Sequence, residues 1–203
     1  MKSSRNLRVV VVGIPGVGKT TVVEKAAESL GAKVVTFGTV MFEEARLLRW
    51  VKDRDEMRKM PVEKQRKLQR LAAAKISKAQ DAILFVDTHL FIRTSEGFWP
   101  GLPFDVITAM KPTHLALVEA TPEEILQRRA NDPTRARDSL TVAALASELA
   151  LGRSFLTSVS TISGAPMLII TNRAGLVEES ARDLAAALPG SKPRAPVAVP
   201  STR

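Results

Sequence analysis

The chain has 203 residues, of which 45% are hydrophobic and 25% are charged, and its formal net charge at pH 7 is +9. This length and apolar content suit one globular domain with its own core, and no shift in composition marks a second domain. The chain contains no cysteine. This excludes a disulfide framework and a cysteine-based zinc site, and it agrees with a reducing compartment.

Five short apolar segments predict the strands of a sheet: residues 7–12, 33–37, 82–86, 113–119 and 166–170. Helical periodicity covers the segments between them, at residues 21–30, 39–50, 62–79, 122–130, 140–162 and 176–188. Strands that alternate with helices predict an α/β fold with a parallel sheet. In the long segment at 140–162, apolar residues recur in a stripe that we expect to face the sheet. They are Leu145, Leu149, Phe155, Leu156, Val159 and Ile162.

The apolar run at residues 7–12 is far too short to cross a bilayer, and no secretory leader precedes it. We therefore expect a soluble, cytoplasmic protein that does not enter the membrane. At the other end, residues 189–203 are rich in proline and basic residues, and they predict a disordered basic tail.

The most informative segment directly follows the first predicted strand. It matches G-x-x-x-x-G-K-[ST] at every fixed position and comprises Gly13, Ile14, Pro15, Gly16, Val17, Gly18, Lys19 and Thr20. In this motif backbone N–H groups ring a phosphate, the lysine reaches the β- and γ-phosphates, and the hydroxyl ligates Mg²⁺. The strand before it and the helical pattern after it favour this interpretation over an ordinary glycine-rich turn. We therefore predict a binding site for a nucleoside triphosphate.

Asp87 ends the third predicted strand. The carboxyl ends of parallel strands form the ligand-binding edge of such a sheet, so Asp87 is expected beside the phosphate-binding loop. A carboxylate there can hold Mg²⁺ directly or through water, whereas a lone aspartate after a strand can also cap a turn. The phosphate-binding loop at residues 13–20 favours a Mg²⁺-binding role for Asp87 over a turn cap.

Arginines follow at three further places. Arg93 lies in a turn-rich loop that leaves the same sheet edge, and we predict that it grips a second phosphate, with Phe98 or Trp99 beside a base. Residues 127–138 hold four arginines around an Asn-Asp-Pro break, which predicts a short closing lid, although a solvated basic loop is the alternative. Arg153 is predicted to point at the same site. We assign no chemistry to His89, because a structural histidine explains it equally well.

Residues 49–78 carry eleven Lys or Arg and four Asp or Glu. Such a basic segment is typical of a nucleic-acid surface, of a cradle for anionic substrates, or of a solvated helix face. Aromatic residues make up only 4% of the chain and tyrosine is absent, so stacking platforms for bases are not evident. Nucleic-acid binding is therefore a secondary hypothesis, and the predicted binding of a nucleoside triphosphate does not require it.

With these segments assembled, the chain resembles the archaeal adenylate kinases, a branch of the nucleoside monophosphate kinases. The resemblance covers roughly residues 7–188. Its motifs lie at residues 13–21, at 52–59 with 62–65, at 87–94 with 100–103, and at 134–138. One position departs from the family, which has Gly-Asp after the second strand where this chain has Gly38 and Thr39.

The resemblance implies reversible, Mg²⁺-dependent phosphoryl transfer from ATP to AMP, giving two ADP. It implies a three-layer P-loop NTPase fold with a five-stranded parallel sheet, and often a homotrimer. It places a kinase domain at residues 1–188, with AMP-binding helices at about 39–80 and a short lid at about 129–139.

The resemblance also assigns roles to residues of this chain. The catalytic groups would be Lys19, Arg93, Arg135 and Arg137. ATP would be bound by residues 13–21, which include Thr21, with Arg128 over the adenine. AMP would be bound by Arg54, Arg58, Arg93, Gly101 and Arg153. Mg²⁺ would be held by Thr20 and Asp87.

Two alternatives stay open at this level. The acceptor could be another nucleoside monophosphate or a small metabolite, because the loop and lid do not identify it. The basic segment also permits an ATP-dependent RNA-binding or ribosome-associated factor. A GTPase switch is not supported, because the chain has no Asn-Lys-x-Asp motif and Asp87 is not followed by x-x-Gly.

Overall fold

Five parallel strands form the central sheet of the computed structural model, which describes residues 6–94, 96–131 and 141–190, except for the side chain of Arg58. In chain order the strands are β1 Leu7–Val12, β2 Lys33–Thr36, β3 Ile83–Asp87, β4 Phe91–Thr94, β5 Gly97–Pro100, β6 His114–Glu119 and β7 Met167–Thr171. The sheet order is β2-β3-β1-β6-β7, and β4 and β5 form a separate antiparallel hairpin. The five predicted sheet strands are confirmed.

Eight helices surround the sheet in the described part of the chain. They are α1 Lys19–Leu30, α2 Phe37–Leu47, α3 Arg54–Arg58, α4 Val62–Ser77, α5 Phe104–Met110, α6 Pro122–Ala130, α7 Val142–Ser163 and α8 Val177–Ala186. Helices α2, α4 and α5 pack on one face of the sheet, and α1, α6 and α8 pack on the other, while α7 contributes to the core clusters of both faces. The predicted three-layer α/β architecture is therefore confirmed.

Strand β1 lies at the centre of the sheet because both of its faces are apolar. Val9, Val10, Val11 and Val12 are all fully buried, and alternate valines contribute to the two core clusters on opposite faces. Continuous runs of β-branched residues are typical of parallel strands that are covered on both sides. This burial fixes the end of β1, where the phosphate-binding loop begins.

Two predicted boundaries near the second strand are wrong. Phe37 begins α2 instead of ending β2, and its buried ring is part of the hydrophobic core. Helix α2 ends at Leu47 instead of residue 50, since Arg49 takes a left-handed backbone conformation with φ 57° that reverses the chain.

Three elements were not predicted from periodicity, because each is too short to show a helical or strand period. Helix α3 is fixed mainly by its cap, where the Asp53 carboxylate accepts from the backbone N–H groups of Asp55 and Glu56 at 2.9 and 2.8 Å. Helix α5 and the β4–β5 hairpin lie in the segment that was expected to be a turn-rich loop. The hairpin is held by an edge-to-face contact of Phe91 and Phe98, with ring centroids 5.0 Å apart.

Helix α7 is the one helix of the described residues whose length and composition would allow it to cross a membrane. Here it packs an apolar stripe on the sheet, with Leu145, Leu156 and Val159 buried. Leu149 and Phe155 pack partly against the core, as predicted. Ile162 was expected to join the stripe, but it lies in the last turn of α7 and is 44% exposed.

Replacing Gly101 with alanine is expected to destabilise the fold. A Cβ atom there would lie 2.2 Å from the carbonyl oxygen of His89, and the Gly101 N–H already donates to Leu90 O at 2.7 Å. Overpacking against backbone costs about 1–3 kcal/mol, which lowers Tm by several degrees in a chain of this size. Gly152→Ala in α7 is the matched control, since its Cβ would meet no atom within 4 Å. Equal melting temperatures for the two variants would contradict the prediction.

Two predicted features lie outside the described residues for the most part. These are the lid, of which residues 132–139 are not described, and the tail from residue 191 onwards. The division into a kinase domain at 1–188 and a tail at 189–203 stays a prediction.

Candidate nucleotide-binding site

The phosphate-binding loop connects β1 to α1 and packs directly against the neighbouring strand β6. A Cβ at Gly13 would lie 2.6 Å from the carbonyl oxygen of Val118, so the close approach requires glycine. Gly16 and Gly18 have φ values of 96° and 80°, which side chains rarely adopt. Such left-handed turns let successive backbone N–H groups converge on an anion, and Lys19 begins the helix that follows.

Lys19, Thr20 and Asp87 come together at the carboxyl edge of the sheet. Strand β3 pairs with β1 so that Asp87 lies beside Val11, one residue before the end of β1. The Lys19 ammonium forms an ion pair with Asp87, and the Thr20 hydroxyl lies 3.3 Å from Asp87 Oδ2. The position predicted for Asp87, beside the phosphate-binding loop, is therefore confirmed.

Two effects act on the charge of Lys19. Burial lowers the pKa of its amine to about 8, since the ammonium has lost most of its contact with water. The Asp87 carboxylate opposes this shift, because the ion pair favours the charged form. The close pairing leads us to expect a charged Lys19 at neutral pH.

The hydroxyl of Thr20 and the carboxylate of Asp87 offer hard oxygen donors in the same place. Mg²⁺ takes only one or two protein oxygens when the phosphates of a nucleotide and water complete its octahedral shell. No cluster of three or more His, Cys, Asp or Glu residues suited to a metal occurs in the described residues. The donor set therefore fits Mg²⁺ bound together with a nucleotide, and it does not form a complete metal site by itself.

Arg128, in the last turn of α6, reaches the phosphate-binding loop. Its guanidinium donates to Val17 O at 2.9 Å and to Asn172 O at 2.8 Å. Asn172 directly follows β7 and donates from its side-chain amide to Val17 O at 2.8 Å. Asn172 was not predicted as a site residue from the sequence, although it follows a predicted sheet strand just as Asp87 does.

Arg93 and Arg153 each pair with a buried carboxylate. Arg93, on β4, contacts Glu148 of α7 through Nε at 3.0 Å and through Nη2. Arg153 forks onto Glu119 at the end of β6, with Nε and Nη2 at 2.9 and 2.6 Å from its two oxygens. Hydrogen bonding to Glu119 raises the pKa of Arg153 further. Neither glutamate was singled out from the sequence, because nothing local marks a buried ion-pair partner.

The two arginines stay accessible despite these pairs. Their side chains are 47% and 61% exposed, whereas the side chains of Glu148 and Glu119 are 8% and 6% exposed. Each glutamate therefore binds the Nε and Nη2 edge of a guanidinium group, while the arginine side chain stays partly exposed to solvent.

Arg54, which was predicted to bind AMP, makes its contacts with helix α2. Arg54 of α3 donates to the hydroxyl of Thr39 on α2 at 2.8 Å, and its guanidinium lies 5.4 Å from the centre of the Phe42 ring. The Arg54–Thr39 bond links the two helices and involves the position that departs from the family pattern. The side chain of Arg58 and the whole of Arg135 and Arg137 lie outside the described residues.

The basic segment uses many of its charges within the protein. Lys64 and Lys67 both lie 5.3 Å from the Trp50 ring centre. Arg70 pairs with Asp105 at 3.1 Å, and Lys75 pairs with two glutamates of α2. These contacts favour the interpretation of this segment as a solvated helix face.

A strand, a glycine-rich loop and a helix that begins with Lys19 and Thr20, beside a carboxylate on the next strand, define a P-loop NTPase. A family model described as an AAA domain matches residues 12–146, and the chain belongs to that family. Its fold is similar to a shikimate kinase from Acinetobacter baumannii, with a TM-score of 0.60 at 17% identity over 89% of this chain and 92% of the other.

Proteins with similar sequences show which family of P-loop NTPases this chain belongs to. The chain is 42% identical to an adenylate kinase of Thermoplasma acidophilum, over 88% of this chain and 96% of the relative. It is 41% identical to an adenylate kinase of Methanocaldococcus jannaschii, over 89% of this chain and 97% of the relative. An adenylate kinase of Pyrococcus horikoshii is 43% identical, over 81% and 85%. The chain belongs to the adenylate kinase family.

Proposed function

We propose that this chain catalyses the reversible transfer of a phosphoryl group from Mg²⁺-bound ATP to AMP, giving two ADP. The observation that carries the proposal is the meeting of Lys19, Thr20 and Asp87 at the phosphate-binding loop. Membership of the adenylate kinase family identifies AMP as the acceptor to be tested first.

This reaction demands positioning and charge neutralisation more than proton transfer. An AMP phosphate oxygen is already an anionic nucleophile, so no general base is needed. The two nucleotides must be held in line, and the negative charge of the transferred group must be offset. Basic side chains from separate elements suit this demand.

On the ATP side, the loop N–H groups and Lys19 would hold the β- and γ-phosphates. Lys19 would exchange its contact with Asp87 for a phosphate oxygen, which keeps the buried ammonium paired. Thr20 and Asp87 would hold Mg²⁺, which would supply positive charge beside the phosphates. Arg128 would cover the adenine with a face of its planar guanidinium, since its hydrogen bonds use only the in-plane N–H groups.

On the AMP side, Arg93 would bind the acceptor phosphate. Its pairing with buried Glu148 supports this role, because the guanidinium is held in place before substrate arrives while part of it stays exposed. Arg153 is held by Glu119 in the same way and would contact the phosphates from α7. Roles for Arg54, Arg58 and Gly101 on the AMP side, and for Arg135 and Arg137 in the lid, stay predictions.

Arg93→Ala is expected to raise the KM for AMP by at least about tenfold while changing the KM for ATP less than twofold. The reason is that Arg93 lies on β4 and is not part of the phosphate-binding loop, so its loss is expected to remove binding energy mainly from the acceptor. Steady-state kinetics with each substrate varied at saturation of the other would measure this. Arg70→Ala, which removes an exposed arginine that pairs with Asp105, is the control. Equal increases in both KM values would remove Arg93 from the acceptor site.

The proposed function itself is tested by coupled assays with AMP, GMP, UMP and CMP as acceptors. We expect AMP to be the preferred acceptor and ADP to be the only nucleotide product. ATP hydrolysis that does not respond to any monophosphate would contradict phosphoryl transfer, and turnover confined to another monophosphate would replace AMP. A cytoplasmic location and a homotrimer stay predictions.

A further inference from the structure

Side chains that do not belong to the phosphate-binding loop donate hydrogen bonds to two of its peptide carbonyl groups. Val17 O accepts one hydrogen bond from Arg128 and another from Asn172. Pro15 O accepts from Arg129 Nε and Nη2, at 3.0 and 2.6 Å. None of these three donors belongs to the loop motif. They come from the last turn of α6 and from the residue after β7.

Each held carbonyl shares a rigid plane with the N–H group of the next residue. In a trans peptide the C=O and the N–H point in opposite directions, so fixing one direction fixes the other. Holding the Pro15 and Val17 carbonyls outward therefore directs the N–H groups of Gly16 and Gly18 toward the inside of the loop. Neither N–H donates to protein within the described residues, which leaves both available to an anion.

Asn172 is built into this arrangement. Its side chain is buried, and its own backbone N–H donates to Glu119 O at 2.7 Å, which anchors it to the sheet. A Cβ at Gly18 would lie 2.4 Å from Asn172 Nδ2, so the amide lies directly against the loop backbone. The hydrogen bond from Asn172 to Val17 O joins residues 155 positions apart in the chain.

We propose that Asn172, Arg128 and Arg129 form an outer clamp that aims the Gly16 and Gly18 N–H groups at the polyphosphate. In the clamp the three are positioning residues that act through the loop backbone, and for Arg128 this role adds to its contact with the adenine. The clamp rests on the proposed binding of ATP at this loop, and it adds Asn172 and Arg129 to the residues on which that binding depends.

The test compares two probes, ATP and inorganic tripolyphosphate, which carries the same chain of phosphates without a base. Asn172→Leu removes the amide donor at similar volume and unchanged charge. The expected result is that Kd rises by the same factor, about tenfold, for both probes, measured by isothermal titration calorimetry. Arg128→Lys keeps the charge but loses the planar fork. It is expected to weaken tripolyphosphate binding by a similar factor, and to weaken ATP binding at least as much because Arg128 would also cover the adenine.

Ser180→Ala is the matched control. Ser180 is also buried, and its hydroxyl donates to Thr171 O at 3.0 Å without touching the loop. Its removal should leave both Kd values unchanged while it lowers Tm. Unchanged binding of tripolyphosphate by both variants would show that neither residue acts through the loop, and it would overturn the clamp whether or not ATP binding changed. If Asn172→Leu does not fold, Arg128→Lys decides the comparison.

Failure of the clamp and failure of the proposed function are distinguishable. Tripolyphosphate binding is measured without turnover, so the clamp is tested whether or not AMP is the acceptor. Absence of ADP formation by the unmodified protein would instead contradict the proposed function.

Discussion

Lys19→Ala is expected to lower kcat for ADP formation by at least about a hundredfold. Loss of one preorganised charge at the site of developing negative charge typically costs 10²- to 10³-fold. Lys19 is buried at the start of α1, where no other described cation pairs with Asp87. The measurement is the initial rate with saturating ATP and AMP. Retained turnover would contradict the role of the loop.

The stability of this variant needs its own control, since Lys19→Ala leaves the buried Asp87 carboxylate without its cation. Removing one partner of a buried ion pair is costly, because the other charge stays unpaired. We therefore expect circular dichroism to show a folded protein with a lowered Tm. The double variant Lys19→Ala/Asp87→Asn should regain part of that Tm and remain inactive. Lys25→Ala, which removes a partly exposed lysine on the same helix that pairs with Glu178, should leave activity unchanged.

Asp87→Asn is expected to raise the Mg²⁺ concentration that gives half-maximal activity by at least about tenfold. The amide keeps the shape of the carboxylate but loses the charge that attracts the cation, and even partners outside the first shell of a metal are worth 10- to 100-fold in affinity. Titration of activity with Mg²⁺ measures this effect. Asp105→Asn, an exposed aspartate paired with Arg70, is the control.

The same substitution has an opposite effect without metal. Asp87 competes with phosphate for Lys19 in the free protein, so Asp87→Asn should bind Mg²⁺-free ATP more tightly than the unmodified chain does. An unchanged Mg²⁺ requirement together with weaker Mg²⁺-free binding would contradict both the metal role of Asp87 and its pairing with Lys19. Tighter binding combined with lost activity would separate nucleotide affinity from catalysis.

Local pattern was sufficient wherever the chemistry depends on neighbours in the chain. The phosphate-binding loop was predicted because its residues lie within eight positions and follow an apolar strand. Asp87 was predicted because parallel strands bring their carboxyl ends to one edge. Helix α6 was predicted with both ends correct, and in the structure Pro122 and a Thr121–Glu124 capping box mark its start.

Local pattern failed where an element is short or where packing decides. Helix α3 depends mainly on the Asp53 cap, and its five residues are too few to show a helical period. The hairpin β4–β5 depends on Phe91 packing against Phe98 and Phe155, and Phe155 lies on a helix far along the chain. Ile162 fits the periodicity of α7, yet it lies in the last turn of the helix and stays exposed.

The sequence by itself determined that residues 13–20 carry a phosphate-binding motif on a parallel α/β sheet, because that motif and those strands are continuous in the chain. Only the tertiary structure decided which groups support the site. Glu148 holds Arg93, Glu119 holds Arg153, and Asn172 reaches Val17. These partners come from distant elements whose separation in the chain carries no period, and only the packing of helices on the sheet brings them within hydrogen-bonding distance.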